Sequence, residues 1–427
     1  MVLHNLSMKK VFELSGFNGG VFLLMVLSSL GSELFANGLD LGLSYGSRYV
    51  NMGGNQVSLA NDAYAPFYNP AGMMGLEGAS FAADLSSLIL SYEAPIGGAN
   101  AQRTSDISVN PLFYFGGAKK LNEWIALGIG FYPTALQGAT FSHVNYGAGL
   151  RDKEFSDRLV RLELSPSLAL KVIDPISVGV SWRLGYTRYD KSGGAFGVPG
   201  QALYLASSVS AWDAKGVKLG AFLNNWNGLS AAMTYRFEID TQLQGQTDVD
   251  GGAGAAPAST TQNVKLPAQF QAGISYEWIP KKLTTALGYE YTISNVIEAD
   301  RPVIQGLPPA ATATPLHWKN GHTVHVGGEY VFDLGATRKL RTGLGFCWDK
   351  GVTRNTEPSP VVAPAADYYG YSAGAQFEQG SNTYGLGLNY GQYAARTAAL
   401  DYPSASIFPG KYSLKILLAV LDYQFRF

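Results

Sequence analysis

Strict alternation of two kinds of side chain runs through the chain from about residue 79 to its end. In 176–187 the even positions are Ile176, Val178, Val180, Trp182, Leu184 and Tyr186. The odd positions are Ser177, Gly179, Ser181, Arg183, Gly185 and Thr187. The same pattern sets Tyr384, Leu386, Leu388 and Tyr390 against Thr383, Gly385, Gly387 and Asn389. A period of two marks strands with unlike faces. The polar face is built from Gly, Ser, Thr and Asn, with occasional Arg or Glu. A soluble sandwich would show water long Lys and Glu chains there. An apolar outer face with aromatic ends around a polar interior is the pattern of a transmembrane β-barrel.

Fourteen segments carry the pattern: 79–93, 107–118, 123–137, 156–171, 176–189, 214–224, 229–243, 263–277, 283–296, 320–333, 338–349, 367–377, 382–392 and 413–427. An even number is what a bacterial barrel requires. The connections alternate. Six short turns lie near 119–122, 172–175, 225–228, 279–282, 333–338 and 378–381. Seven long loops lie between them, among them 138–155, 190–213 and 244–262. Both ends of the barrel therefore fall on the short-turn side, which is periplasmic in outer-membrane barrels. The chain closes on Tyr423-Gln424-Phe425-Arg426-Phe427, which resembles the C-terminal signature of proteins folded by the outer-membrane insertion machinery. The expected fold is all-β, a fourteen-stranded antiparallel transmembrane β-barrel over 79–427.

Composition sharpens this. Charged residues make up 15%, against roughly 25% in an ordinary soluble domain. Net charge is −1, which argues against a nucleic-acid partner. The single cysteine, Cys347, excludes a disulfide framework and a Cys-cluster zinc site. At the N-terminus Lys9 and Lys10 precede an apolar run, Val21 to Leu30, and the segment ends at Ala36. Residues 1–36 read as a secretory signal peptide.

Residues 37–78 do not alternate. A fourteen-stranded barrel is wider than an eight-stranded one, whose side chains can fill it. This segment is therefore the candidate plug, expected to fold as short helices in the lumen. It contains Asn61-Asp62-Ala63, then Asn69-Pro70-Ala71 and Met73-Met74. These motifs resemble the N-terminal hatch of the FadL family. Lys265-Leu266-Pro267, leading through Ala272-Gly273 into Tyr276, is similar to that family's Leu-Pro strand. Leu340-Arg341-Thr342-Gly343 is similar to its Arg-Thr-Gly strand. The family commonly has two acidic residues where this chain has Asn61-Asp62.

The resemblance implies an outer-membrane transporter of hydrophobic small molecules, long-chain fatty acids foremost. It implies no enzyme activity and no cofactor, and a monomer contacting outer-membrane lipid. It also implies a sideways release through the third strand, at Gly130, Pro133 and Gly138. Pro133 lacks a ladder donor and is confined to edges and bulges. The ligand pocket is expected to be mostly apolar and to lie between hatch and wall. Leu39 is the candidate apolar insert, and Arg188 and Lys191 are the candidate cations for a carboxylate. A diffusion porin and a surface-exposed adhesive or structural barrel are the alternatives.

Other chemistry is weak. Gly128-x-Gly130 and Gly385-x-Gly387 sit inside strands. Asp248-x-Asp250-Gly251 lacks the downstream Glu of a calcium loop. His325 and Glu329, with Thr323, share a strand face without a readable nucleophile. The charges expected to face the lumen are Arg161, Glu163, Arg183, Arg236, Glu238, Asp240, Glu290, Glu329, Arg341, Asp422 and Arg426. The last strand is expected to be apolar inward above Asp422, at Val420, Leu418, Ile416 and Leu414.

Overall fold

The computed structural model describes residues 44–54, 56–98, 101–147, 149–196, 202–309, 312–359, 366–400, 404 and 406–427. The signal segment and Leu39 lie outside the described residues.

Fourteen antiparallel strands form the wall. They are β1 Ala79–Pro95, β2 Ser108–Lys120, β3 Ile125–Val144, β4 Lys153–Ile173 and β5 Ile176–Phe196. β6 is Ala202–Trp226. β7 runs in two parts, Leu229–Arg236 and Ile239–Asp250, and so does β8, Ala255–Leu266 and Gln269–Ile279. β9 Leu283–Thr292, β10 Gly321–Asp333, β11 Arg338–Asp349, β12 Tyr368–Gln379, β13 Asn382–Ala398 and β14 Gly410–Arg426 complete it. β14 pairs with β1 from Ser80↔Arg426 to Glu93↔Ser413, so the sheet closes on itself. The Phe427 amide donates to the Ala79 carbonyl at 2.9 Å, which brings both ends of the wall together at the short-turn rim.

The expected faces are observed. Val178, Val180 and Trp182 face outward, while Ser177, Ser181 and Arg183 are buried inside. On β14, Leu414, Ile416, Leu418 and Val420 are buried and Leu417 and Leu421 face outward.

Two expectations need correction. The supposed long loops 190–213 and 244–262 are mostly strand. β5 and β6 reach Phe196 and start at Ala202, and β7 and β8 meet at a tip of four residues, 251–254. Above the lipid belt the outer face turns from apolar to polar while much of the inner face stays buried, so the apolar-out alternation disappears there while pairing continues. Glu238 and Asp240 do not face the lumen. β7 breaks between Arg236 and Ile239, and the phase slips by one. Thr234 is buried inside below the break, and Ile239 and Thr241 above it, which turns Glu238 and Asp240 outward. The β8 break falls beside it, at Pro267 and Ala268, where proline removes a ladder donor. Arg426 is exposed at the periplasmic rim.

The lumen holds two short helices, α1 Ser47–Asn51 and α2 Ala65–Tyr68, and two 3-10 turns, Val57–Leu59 and Pro70–Gly75. Nearly all their residues are buried.

Candidate transport path

Missing side chains on the wall give the hatch its seat. A Cβ on Gly345 would overlap the Gly53 amide nitrogen, and one on Gly327 would overlap the Met52 carbonyl. Gly179 does the same for the Ala71 amide nitrogen, and Gly220 leaves room for the Asn69 side-chain oxygen. The glycines of the small inner face thus let hatch backbone lie directly on wall backbone, the close approach that only glycine permits.

Asn69, Pro70 and Ala71 sit on this seat. The Asn69 side-chain oxygen accepts from the Ala71 amide at 3.1 Å, and its Nδ2 donates to the Ala221 carbonyl at 3.0 Å. Ser177 Oγ donates to the Ala71 carbonyl at 2.9 Å. Pro70 opens the 3-10 turn, where a fixed φ and an absent donor cost nothing. The expected tight turn is therefore built as an Asx turn.

Asn61 and Asp62 part company. Asn61 is exposed. Asp62 is buried and accepts from the Tyr49 hydroxyl at 2.8 Å and the Tyr64 amide at 2.9 Å. Burial pushes its carboxyl above the usual carboxylate range, while Arg48 and these donors pull it back. The internal role needs one acid, at the second position.

Charge ties α1 to the wall. Arg48 forks onto Glu329, which also accepts from Arg341 at 2.7 Å. Gly46 and Ser47 donate their amides to Asp84 on β1 and Asp422 on β14, at 2.6 and 2.9 Å. A second buried network lies higher on the opposite side. Glu163 is shared by Arg161 and Arg183, and Arg161 also holds Asp213. His325 donates to or accepts from no catalytic partner among the described residues; its Nδ1 contacts the Gly53 carbonyl at 2.7 Å.

The wall has two parted seams. β2 and β3 pair only from Lys120↔Ala126 to Phe115↔Phe131. Above that, β2 keeps only β1 as a partner as far as Ser108 and β3 only β4 as far as Val144, until the Asp106 amide reaches the Thr140 carbonyl at 2.8 Å. β3 also bulges against β4 between Pro133 and Ala135. Gly130 lies under the rings of Tyr114 and Tyr132, which a side chain would displace, and Gly138 takes a φ of +152° where a Cβ would overlap Asp157. The ladder on β3 is thus interrupted on both sides. The second seam lies between β6 and β7, from 211–217 and 237–243. Polar bonds stitch it: Thr241 to Asp213 at 3.0 Å and Lys215 to the Asp240 carbonyl at 3.2 Å.

A cavity of about 660 Å³ opens in the extracellular half, lined by β4–β8 and by loop residues such as Ile297, Asp300 and Trp318. Its lining mixes apolar residues, Phe155, Leu159, Val264 and Ile304, with Lys191, Asp157 and Gln262. None of its lining residues belongs to the hatch, where Tyr45, Tyr49, Tyr64 and Tyr68 are fully buried. Lys191 lines the cavity and pairs with Asp300. Arg188, three residues away, has the opposite parity. It lies on the outer face, paired with Asp190 at 2.8 Å, and the structure does not bring it to Lys191. The other side of the lumen is a continuous apolar stripe: Leu88, Leu90 and Tyr92 of β1, Leu112 of β2, Phe141 of β3 and the inner face of β14.

A sequence model of the family described as "Outer membrane protein transport protein (OMPP1/FadL/TodX)" matches residues 50–427. The chain belongs to this FadL/TodX family. It is an outer-membrane transport protein and not an enzyme. Among solved structures, a FadL homologue from Pseudomonas aeruginosa superposes with a TM-score of 0.74 at 16% identity, over 92% of this chain and 99% of that one. The Ralstonia pickettii toluene transporter TbuX gives 0.66 at 18%, over 91% and 99%. The Pseudomonas putida toluene transporter TodX gives 0.66 at 14%, over 93% and 100%. No curated protein matches the chain. At such identities the likeness establishes the fold.

Proposed function

We propose that the protein is a passive conduit for hydrophobic molecules, long-chain fatty acids foremost. Cargo binds in the extracellular cavity, follows the apolar stripe along β14, β1 and β2, and leaves sideways through the β2–β3 seam into the outer leaflet. The observation that carries this reading is the position of that seam. It parts where the apolar stripe reaches the wall, and aromatic rings rather than ion pairs line it. The β6–β7 seam is backed by Arg161 and Asp213, a surface no hydrocarbon would cross. The hatch fills the lumen below, which disfavours a water-filled porin.

The cavity is of the size of small-molecule sites, which run roughly 300–1,000 Å³ with few polar anchors. Lys191 is its cation for a fatty-acid carboxylate, which would displace Asp300. The existing Lys191–Asp300 pair also favours a second reading, uncharged hydrocarbons, because the site as it stands is neutral. Uptake of oleate and toluene by cells making the full chain tests both. Uptake of either above empty cells supports the conduit. Steady ion conductance with uptake of neither would overturn it.

A further inference from the structure

Below the seam, β2 and β3 are in register, and Phe115 faces Phe131. Continued upward, the same register would set Phe113 against Pro133. The Pro133 carbonyl has no such strand partner. It accepts instead from the Tyr45 hydroxyl, at 2.6 Å, and Tyr45 belongs to the hatch. We propose that Tyr45 is the gate of the lateral opening, its hydroxyl replacing the absent strand donor and its ring closing the inner mouth. The proposal rests on the lateral release described above and assigns its closure to one hatch residue.

The ring sits among three others. Its centroid lies 5.0 Å from Phe67, 5.9 Å from Tyr114 and 6.1 Å from Tyr132. One of these rings comes from α2, one from β2 and one from β3, so the cluster spans the seam. Tyr114 and Tyr132 stack at 13° across it. These two are fixed to wall strands. Tyr45 and Phe67 are held by the hatch.

Tyr45 is also tied to the contacts that anchor the start of α1. Its amide donates to the Tyr68 hydroxyl and its carbonyl accepts from the same hydroxyl, both at 2.8 Å. The next two amides donate to Asp84 and Asp422. Withdrawing the Tyr45 ring therefore means releasing α1 from the β1–β14 seam. Gate and hatch move as one unit, and cargo pressing down the apolar stripe meets Tyr45 before it meets lipid.

Hydrogen exchange on the purified full chain in vesicles tests this without any cargo. Tyr45→Phe keeps the ring and removes the hydroxyl. Amide exchange in 108–114 and 132–139 should rise about fivefold, the factor expected from one neutral hydrogen bond. Tyr45→Ala should raise it more than tenfold. Exchange in β10–β12 should not change in either variant. In cells, Tyr45→Phe should raise the initial rate of oleate or toluene uptake by a similar factor. Unchanged exchange at the seam in both variants, or an equal rise throughout the barrel, would overturn the gate. Raised exchange confined to the seam, with no uptake by the wild-type chain, keeps Tyr45 as the closure and overturns the conduit instead.

Discussion

Arg48 of the hatch grips Glu329 of β10 through two parallel bonds, Nε at 2.9 Å and Nη2 at 2.7 Å. A two-pronged guanidinium–carboxylate contact fixes geometry as well as energy. Glu329 is almost wholly buried and serves Arg341 as well, so its loss leaves Arg48 without its carboxylate, while Arg341 keeps Glu378 at 3.1 Å. Removing one partner of a buried pair typically costs about 3–5 kcal/mol. Both arginines keep some exposure, which places this site at the lower end. Glu329→Gln should therefore loosen α1 rather than unfold the wall. Single-channel recordings in planar bilayers should show a higher and noisier conductance. A wild-type trace would mean that the glycine seat alone holds the hatch.

The glycine seat gives a steric prediction. Gly345 and Gly327 face hatch backbone, which cannot rotate away as a side chain can. Gly345→Val should expel the 44–54 segment while leaving the lipid-facing side of β11 untouched. The expected outcome is a folded barrel with raised conductance and faster proteolysis within 44–75. Gly380, at a turn with a φ of +60° and open space around it, is the control. Gly380→Asn should leave both readouts unchanged, since asparagine tolerates that backbone region.

Much of this architecture was legible in the chain, for a physical reason. Within the lipid belt each strand separates an apolar solvent from a packed lumen, so every second residue reports its face. That fixed the strand count and the short turns. Where the outer face meets water instead of lipid, as in 241–250, the sequence reads Thr-Gln-Leu-Gln-Gly-Gln-Thr-Asp-Val-Asp and hides a strand in apparent loop. The break at Phe237-Glu238 was equally silent, since a phase slip shows only against a neighbour's register. Pro133 did announce the interrupted ladder. Tyr45 announced nothing: it lies in a non-periodic stretch, Ser44-Tyr45-Gly46-Ser47, and its role depends on a carbonyl 88 residues away. Likewise Arg188 and Lys191 look equivalent in sequence, and only strand parity separates them.

That separation yields the next prediction. Lys191 faces the cavity with Asp300, while Arg188 faces outward with Asp190. Lys191→Gln should weaken oleate binding by about tenfold, the loss of a charge-assisted contact of roughly 1.5 kcal/mol. Toluene binding should be spared. Arg188→Gln should change neither. Tryptophan-fluorescence titration of the purified chain with both ligands reads this directly. An equal loss for both ligands in the Lys191 variant would make it a structural residue of the cavity wall.

The final prediction concerns the seam itself. β3 carries one residue too many between Pro133 and Ala135, opposite Leu162 and Arg161 of β4. A bulge of this kind leaves a residue unpaired and bends the strand. Proline at its start also removes the amide that β2 would need. Deleting Thr134 and replacing Pro133 with Val repairs both defects at once, restoring regular alternation and a ladder donor. β3 should then straighten and pair with β2 up to Ser108. The barrel should be at least as stable, judged by its resistance to heat in detergent, because it gains ladder bonds. Oleate or toluene uptake should nevertheless fall at least tenfold, and conductance should stay near the wild-type level because the glycine seat and the Arg48–Glu329 pair still hold the hatch once Tyr45 loses its acceptor at position 133. Uptake that survives in this straightened barrel would place the exit elsewhere, through the hatch and into the periplasm.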